Sequence, residues 1–229
     1  MCSAVLIGLA AGQSAWADDT PARTVTTVKT EKAAGGERLL PEEVDSDGAV
    51  DAAGQHIAYR AVAGTIVVHP KGWDDAAKPG DPGSGDKGDD NPSAESSMFY
   101  VAYFRKGVTP GSRPITFLYN GGPGSPSVWL HMGSFGPRRV ELPDHEHGAT
   151  SPFRLVNNAE TLLDVTDLVF VDAPGTGFSR IVGKDKEKAF FGVDQDAHAF
   201  SVFIEGFLSR FARWDSPRYL FGESYGTTR

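Results

Sequence analysis

The sequence of 229 residues has a single cysteine, no excess of basic residues and no hydrophobic run of membrane-spanning length. Cys2 cannot form a disulfide within the chain, and one thiol cannot build a site with several thiolate ligands. Lysine and arginine number 22 against 30 aspartate and glutamate residues, which gives a net charge of −8. That balance argues against nucleic acid as a partner, because phosphate backbones bind basic surfaces. No apolar run approaches the roughly 20 residues of a transmembrane helix.

What the chain does contain fits a folded domain behind a targeting segment. Hydrophobic residues make up 40% of it, enough to build a buried core. Residues 1–17 are predicted to be a signal peptide, since the apolar run 4–11 precedes Ala15-Trp16-Ala17, which matches a cleavage pattern. No lysine or arginine precedes that run, so a buried apolar N-terminus is the alternative. The signal peptide predicts a secreted or periplasmic protein.

Composition divides the remaining chain into an arm and a domain. Residues 18–54 are rich in threonine, alanine, glycine and charge without a sustained period, which predicts a flexible N-terminal arm. Residues 55–229 are predicted to form the domain, beginning with two strands that turn at Gly64. Residues 71–97 interrupt it with proline, glycine and acidic residues, which indicates a mobile acidic surface loop between two strands.

The domain combines strand patterns with one helical pattern. The continuous apolar runs 114–119 and 167–172 each end in a glycine-rich turn, which is typical of buried parallel strands followed by functional loops. Aromatic alternation over 98–104 predicts an edge or hairpin strand. Apolar residues recur with helical spacing between 194 and 213, and a short strand follows at 218–221. This order predicts an α/β fold with a mostly parallel sheet.

The strongest chemical motif is Gly222-Glu223-Ser224-Tyr225-Gly226, directly after the last predicted strand. It has the Gly-x-Ser-x-Gly form of a nucleophile elbow, in which a serine sits at the tip of a strained strand-to-helix turn. Glycines two positions to either side leave room for neighbouring backbone. The motif therefore predicts Ser224 as a nucleophile.

A second glycine loop, Asn120-Gly121-Gly122-Pro123-Gly124, follows the predicted strand that ends at residue 119. Serine catalysis needs hydrogen-bond donors directed at the oxyanion that develops during the reaction. In α/β-hydrolases one donor is the amide after the nucleophile, here Tyr225, and the other comes from a loop after an earlier strand. Gly122 has the position for that second donor, and a plain glycine turn is the alternative.

Other motifs carry weaker signals. The segment Asp144–His147 lacks the His-Glu-x-x-His spacing of a zinc site and is better interpreted as a solvated loop. The segment Gly175-Thr176-Gly177 lacks the third glycine of a dinucleotide fingerprint. His131 and His198 are predicted to be structural or exposed, and Asp172 to be a structural acid that accepts hydrogen bonds. We expect neither a cofactor nor a metal.

Three blocks, taken together, resemble the serine carboxypeptidases of peptidase family S10. They are Asn120–Ser125, Gly175–Ser179 and Gly222–Gly226, in the family's order and at similar separation. The chain looks like the N-terminal portion of a bacterial-type member, with the resemblance clear over 98–229 and loose over 55–70. It implies the N-terminal part of an α/β-hydrolase fold. It also implies a peptidase that removes C-terminal residues from peptides through an acyl-enzyme.

The resemblance also implies roles for individual residues. Ser224 would be the nucleophile, and the amides of Gly122 and Tyr225 would form the oxyanion hole. Asn120 and Glu223 hold the positions that bind the C-terminal carboxylate of the substrate in the family. Glu223 must be protonated to donate a hydrogen bond to that carboxylate, a state that burial beside the elbow would favour.

The chain departs from yeast and plant members at three positions. Leu118, Ser125 and Ser134 stand where those members have a tryptophan, a cysteine and a glutamate. In the family the tryptophan and the glutamate belong, with the residues at 120 and 223, to the set that binds the substrate carboxylate. Half of that set is therefore altered. An acyltransferase or esterase of the same fold is one alternative function, and a non-catalytic binding protein is another.

The expected order of a catalytic triad in this fold is serine, then aspartate, then histidine. Only five residues follow Ser224, and none is an aspartate or a histidine. The six histidines all precede Ser224. We therefore expect a truncated chain that is inactive by itself, because a serine without its base is a poor nucleophile.

Overall fold

The structure, a computed structural model of the chain, describes residues 30–33, 36–39, 42–74, 92–142 and 153–229. The predicted signal peptide at 1–17, most of the predicted acidic loop and the segment Asp144–His147 lie outside the described residues. Within the described residues, no helix is both long enough and apolar enough to cross a membrane.

The described residues form eleven strands, three α-helices and several shorter turns of helix. The strands are β1 (Thr30–Ala33), β2 (Gly36–Leu39), β3 (Glu43–Ala52), β4 (Gln55–Val68), β5 (Glu95–Arg105), β6 (Ile115–Tyr119), β7 (Arg138–Val140), β8 (Leu155–Asn157), β9 (Asp167–Val171), β10 (Arg180–Val182) and β11 (Arg218–Gly222). The α-helices are α1 (Val128–Leu130), α2 (Lys186–Phe190) and α3 (Val193–Arg210). A π-helical turn spans His131–Phe135, and 3-10 turns span Pro110–Ser112, Leu162–Asp164 and Ser224–Thr227.

Seven strands build one mixed sheet in the order β11-β6-β9-β5-β4-β3, with β10 paired to β5. Strands β11, β6 and β9 run parallel, whereas the pairs β9–β5, β5–β4 and β4–β3 are antiparallel. The prediction of a mostly parallel sheet is therefore wrong for the described strands. Only two residues join β3 to β4, and such strands pair in antiparallel fashion because a parallel pair needs a long crossover. The run 98–104 lies in β5, inside the sheet rather than at an edge.

The predicted parallel strands and the predicted helix are confirmed. Every residue of β6 and β9 is buried, as continuous apolar runs require. Helix α3 packs its apolar stripe, which includes Phe200, Phe203 and Phe207, into the core on one face of the sheet. A second core on the opposite face contains Leu118, Leu163 and Phe170. The sheet is thus covered on both faces at β6 and β9, whereas most residues of β11, at the edge of the sheet, are exposed.

The predicted flexible arm is wrong for its described residues, because Thr30–Ala33 and Gly36–Leu39 pair as β1 and β2 and Glu43–Ala52 forms strand β3. This strand pairs along its whole length with β4 through a two-residue turn at Ala53 and Gly54, both with positive φ. Its charged residues face solvent, and ion pairs join Asp45 to Arg60 and Asp47 to Lys106 across the sheet. Composition indicated disorder because these exposed charges outnumber the few buried apolar residues of the strand.

The predicted turn at Gly64 is also wrong, since β4 runs through this residue without a break. A Cβ atom at residue 64 would lie 2.8 Å from both the Glu42 carbonyl oxygen and the Tyr100 hydroxyl. The glycine therefore allows a close approach of the neighbouring strands instead of a change of direction. The Tyr100 hydroxyl donates a hydrogen bond to Glu43, which links β5 to β3.

A buried charge cluster anchors the sheet at the end opposite the glycine loops. The Asp167 carboxylate accepts hydrogen bonds from the Arg113 Nε at 2.8 Å and the Arg213 Nη1 at 2.6 Å. Both Asp167 and Arg213 are almost completely buried. Arg213 also donates to the Arg113 carbonyl, so the cluster joins the starts of β6 and β9 to the loop after α3.

Candidate active site

The elbow has the strained geometry that its sequence predicts. Strand β11 ends at Gly222, and the backbone of Ser224 has a φ of +54°, a left-handed conformation that a non-glycine residue adopts only at a cost of about 1–3 kcal/mol. A Cβ at Gly222 would overlap the Gly226 carbonyl, and one at Gly226 would lie 2.9 Å from the backbone carbonyl oxygen of Tyr119. The Ser224 residue is exposed at the tip of this turn.

The glycine loop packs directly against the elbow. Tyr119, at the end of β6, is the register partner of Gly222 in the parallel pair of β6 and β11, so both loops leave the same edge of the sheet. A Cβ at Gly121 would overlap the Tyr225 amide nitrogen and lie 2.7 Å from the Glu223 carbonyl oxygen. Backbone therefore contacts backbone here, which explains why the sequence needs a glycine at 121.

The two predicted oxyanion donors lie at this contact. The Tyr225 amide forms part of it, and Gly122 follows Gly121 in the chain. Gly122 has a φ of +107°, which favours glycine, and the loop is closed by a hydrogen bond from the Ser125 amide to the Gly121 carbonyl at 3.0 Å. Within the described chain, neither the Gly122 amide nor the Tyr225 amide donates a hydrogen bond to a loop carbonyl.

The structure brings Asn120 and Glu223 together at this edge. The Asn120 side-chain nitrogen donates a hydrogen bond to the Glu223 carboxylate at 3.1 Å, and its oxygen accepts one from the Leu130 amide at 3.3 Å. Asn120 is buried, which holds its amide in place. Glu223 is exposed, so the expectation that it is buried beside the elbow is wrong for the described residues.

The positions at which the chain departs from yeast and plant relatives have simple structural explanations. Leu118 is fully buried in the core beneath the glycine loop. Ser134 is exposed in the π-helical turn, where its carbonyl accepts a hydrogen bond from the Asn158 side chain. Phe135, next to it, packs edge-on against Phe221 with 5.1 Å between ring centroids. No carboxylate stands at residue 134 to join Asn120 and Glu223.

The predicted structural role of Asp172 is confirmed. Its carboxylate accepts hydrogen bonds from both the amide and the hydroxyl of Ser127 at 2.8 Å, and from the Phe178 amide at 3.0 Å. The Ser179 hydroxyl donates to the Asp172 carbonyl. This buried acid therefore ties the segment after the glycine loop to the block Gly175–Ser179. An aspartate at the end of a buried strand, followed by a glycine turn, is the sequence signal for it.

The predicted structural role of His131 is also confirmed. Its ring stacks on Phe170 with 4.6 Å between centroids, and its Nε2 is 2.7 Å from the Tyr103 hydroxyl. Burial lowers the pKa of His131 to about 4, so the ring is neutral at ordinary pH. In the described part of the chain, the Ser224 hydroxyl forms no hydrogen bond with a histidine, and His198 is half-buried on α3.

Sequence reasoning missed one residue of this region, Arg229. Its side chain is completely buried and forms an ion pair with Asp196 of α3 at 3.0 Å. It also donates a hydrogen bond to the Pro123 carbonyl in the glycine loop at 3.0 Å. No local pattern could have indicated this, because the partners lie 33 and 106 positions away along the chain.

Neither the acidic nor the histidine residues suggest a metal centre. Among the described residues, no group of three histidine, cysteine, aspartate or glutamate side chains is close enough to hold a metal ion. The described site contains the exposed Ser224, the backbone of Gly122 and Tyr225, and the Asn120–Glu223 pair.

Comparisons with known proteins agree with this geometry. The family model described as Serine carboxypeptidase matches residues 89–228, a range that includes the glycine loop and the elbow. A protein named Serine carboxypeptidase-like 36, from Arabidopsis thaliana, is 31% identical over 137 residues. That alignment covers 57% of this chain and 26% of the relative, so the chain spans about a quarter of that relative's length. The α/β-hydrolase fold is thereby confirmed, and the chain belongs to the serine carboxypeptidase family.

Proposed function

We propose that the protein carrying this chain is a serine-type carboxypeptidase-like peptidase that removes C-terminal residues from peptides. The observation that carries this proposal is the exposed Ser224 at a φ of +54°, next to a glycine loop whose backbone contacts the Tyr225 amide. The chain spans only 26% of the plant relative, so the activity is proposed for the whole protein.

In the proposed reaction, the Ser224 oxygen attacks the scissile carbonyl carbon while its proton passes to a general base. The resulting oxyanion accepts hydrogen bonds from the amides of Gly122 and Tyr225. The carbon–nitrogen bond then breaks, the leaving amine takes the proton from the base, and an acyl-enzyme remains. Water hydrolyses that ester and regenerates the serine. No described histidine forms a hydrogen bond with Ser224, so the proposal places the base elsewhere in the whole protein.

Recognition of a C-terminal substrate residue is assigned to Asn120 and Glu223. Their hydrogen bond puts an amide and a carboxyl group side by side at the edge that carries Ser224. A substrate carboxylate would accept a hydrogen bond from the Asn120 amide, which the contact with Glu223 holds in place.

The absence of a carboxylate at Ser134 supports a second candidate, an esterase or acyltransferase that uses the same acyl-enzyme. With half of the family's carboxylate-binding set altered, selection for a terminal carboxylate is weaker. An ester acyl donor would satisfy the same Ser224 chemistry without that contact.

The decisive experiment uses the full-length natural protein and its Ser224→Ala variant. We expect a fluorophosphonate to label Ser224, and single C-terminal residues to be released from peptides by the parent and not by the variant. Turnover of esters with no turnover of peptides would favour the second candidate. No adduct and no turnover would leave a non-catalytic binding protein.

The proposed location is secreted or periplasmic, on the strength of the predicted signal peptide. The measurement is N-terminal sequencing of the protein recovered from its natural host. We expect the mature chain to begin at Asp18, directly after Ala15-Trp16-Ala17. A protein that keeps Met1 would contradict this.

A further inference from the structure

The Arg229 guanidinium lies at a junction of three elements near the candidate active site. Its Nε is 3.0 Å from the Asp196 carboxylate on α3, and its Nη2 donates to the Pro123 carbonyl at 3.0 Å. The guanidinium carbon is 5.5 Å from the Phe200 ring centroid and 5.1 Å from that of Tyr225. One side chain therefore contacts the helix, the glycine loop and the elbow.

The contacts fall on the neighbours of both proposed oxyanion donors. Pro123 directly follows Gly122, and Tyr225 supplies the other donor with its own amide. Among the described residues, two hydrogen bonds hold the carbonyls of the loop 121–124: the Ser125 amide bonds Gly121, and Arg229 bonds Pro123. The first is local, so the second is the bond that ties these carbonyls to another element, while the Asn120 side chain at the start of the loop bonds Glu223.

Burying the charged pair of Arg229 and Asp196 is an unfavourable way to stabilise the fold. Burial lowers the pKa of Arg229 and raises the pKa of Asp196, so removal from water disfavours both charges. A buried ion pair of this kind often contributes no more stability than apolar residues of the same size. In addition, neither the Nε nor the Nη1 of Arg229 has a hydrogen-bond partner in the described structure, although the Nε lies within ion-pair distance of Asp196. An apolar side chain would pack against Phe200 and Tyr225 without these costs.

An apolar side chain would, however, leave the Pro123 carbonyl without its donor. A loop that shifts by even 1 Å moves the Gly122 amide away from the oxyanion, and such displacements cost large factors in rate. We propose that Arg229 is a positioning residue that holds the Gly122–Pro123 loop and the Tyr225 elbow in register as one oxyanion hole. This inference rests on the proposed function for its catalytic consequence.

The test compares variants of the full-length protein that separate positioning from stability. Arg229→Met removes the donor and leaves Asp196 unpaired. The double variant Arg229→Met with Asp196→Asn removes the donor without leaving a buried charge, so its melting temperature should recover toward the parental value. Arg218→Met is the matched control, because Arg218 is exposed and, within the described residues, its side chain donates to the Trp214 carbonyl and to no group of the glycine loop.

Two readouts are measured for each variant. The first is kcat and KM for an ester substrate, and the second is amide hydrogen exchange in the peptide 120–127. In both Arg229 variants we expect kcat to fall about tenfold to hundredfold with KM within about twofold, and exchange in 120–127 to become at least about tenfold faster. Arg218→Met should change neither quantity.

Recovery of the parental kcat in the double variant, together with its stability, would overturn the inference by showing a purely structural role. Unchanged exchange in 120–127 in Arg229→Met would overturn it as well. A parent protein with no Ser224-dependent turnover would count against the proposed function, and hydrogen exchange would still decide whether Arg229 positions the loop.

Discussion

The side-chain nitrogen of Asn120 donates a hydrogen bond to the carboxylate of Glu223 at 3.1 Å. Asn120 is the first residue after β6, and Glu223 is the first residue after β11. Because these strands are parallel neighbours, the two side chains meet although 103 positions separate them in the chain. The pair is the feature that would distinguish a carboxypeptidase from a general esterase.

Replacing Asn120 with alanine should therefore weaken the binding of substrates that end in a carboxylate. Loss of one hydrogen bond to a charged group costs about 1.5–3 kcal/mol, so kcat/KM for such peptides should fall about tenfold to hundredfold. Peptides with an amidated C-terminus should be unaffected. Ser134→Ala is the control, since its exposed side chain should change neither substrate class. Equal losses for both substrate classes in Asn120→Ala would contradict the assignment.

Two glycines of one loop provide a matched pair for testing the oxyanion hole. An alanine at Gly121 would overlap the Tyr225 amide, whereas a Cβ at Gly124 would meet nothing within 4 Å. We expect Gly121→Ala to slow fluorophosphonate labelling of Ser224 in the full-length protein by at least about a hundredfold. Gly124→Ala should stay within about threefold of the parent. Comparable labelling of the two variants would show that the contact between loop and elbow is unimportant.

His131 should make the stability of the chain depend on pH. Burial lowers the pKa of His131 from 6.5 to about 4. Between pH 6.5 and pH 4 the unfolded state therefore binds a proton at this histidine, whereas the folded state does not. Stability is therefore complete above about pH 6.5 and should fall by about 3 kcal/mol as the pH drops to 4. Urea unfolding from pH 7 to 4 measures this.

A His131→Gln variant keeps a hydrogen-bonding partner for Tyr103 but cannot titrate. Its stability should change less than that of the parent over the same pH range. His56→Gln is the control, because His56 is exposed beside Asp51. If the parent and His131→Gln lose the same stability toward pH 4, another group causes the effect.

The buried cluster around Asp167 should be far more important for stability than the surface ion pairs. Asp167→Ala would leave the buried guanidinium of Arg213 and that of Arg113 without their carboxylate, at a cost of about 3–5 kcal/mol. Asp45→Ala breaks an exposed pair with Arg60 and should cost less than about 1 kcal/mol. Thermal unfolding of both variants measures the difference. Similar losses in the two would contradict the structural interpretation.

Local sequence patterns predicted the strands and the helix whose buried residues follow a regular pattern along the chain. Strands β6 and β9 are buried along their whole length, so their sequences are largely apolar. The helix that became α3 has one apolar stripe, and Gly222–Gly226 contains the steric requirement of its own turn. These features depend on neighbours within a few residues, which is why periodicity and motif spacing detected them.

Strand β3 and the passage of β4 through Gly64 were mispredicted for the opposite reason. The exposed acidic residues of β3 form ion pairs with basic residues elsewhere in the sheet. Composition shows that the acidic residues are present, but it does not show with which residues they pair. Gly64 is needed because Tyr100 of β5 approaches it, and a single sequence does not show which side chain will lie opposite a glycine.

The sequence by itself determined the tight turn that carries Ser224, the two glycine loops and the family to which the chain belongs, because a few adjacent residues are enough to specify each of them. Only the tertiary structure decided that the sheet is mixed and that Asn120 meets Glu223. It also decided that Arg229 joins Asp196 to the glycine loop. The physical reason is that these contacts join groups that are far apart in the chain. Such groups meet only after the strands have paired in their final order in the sheet.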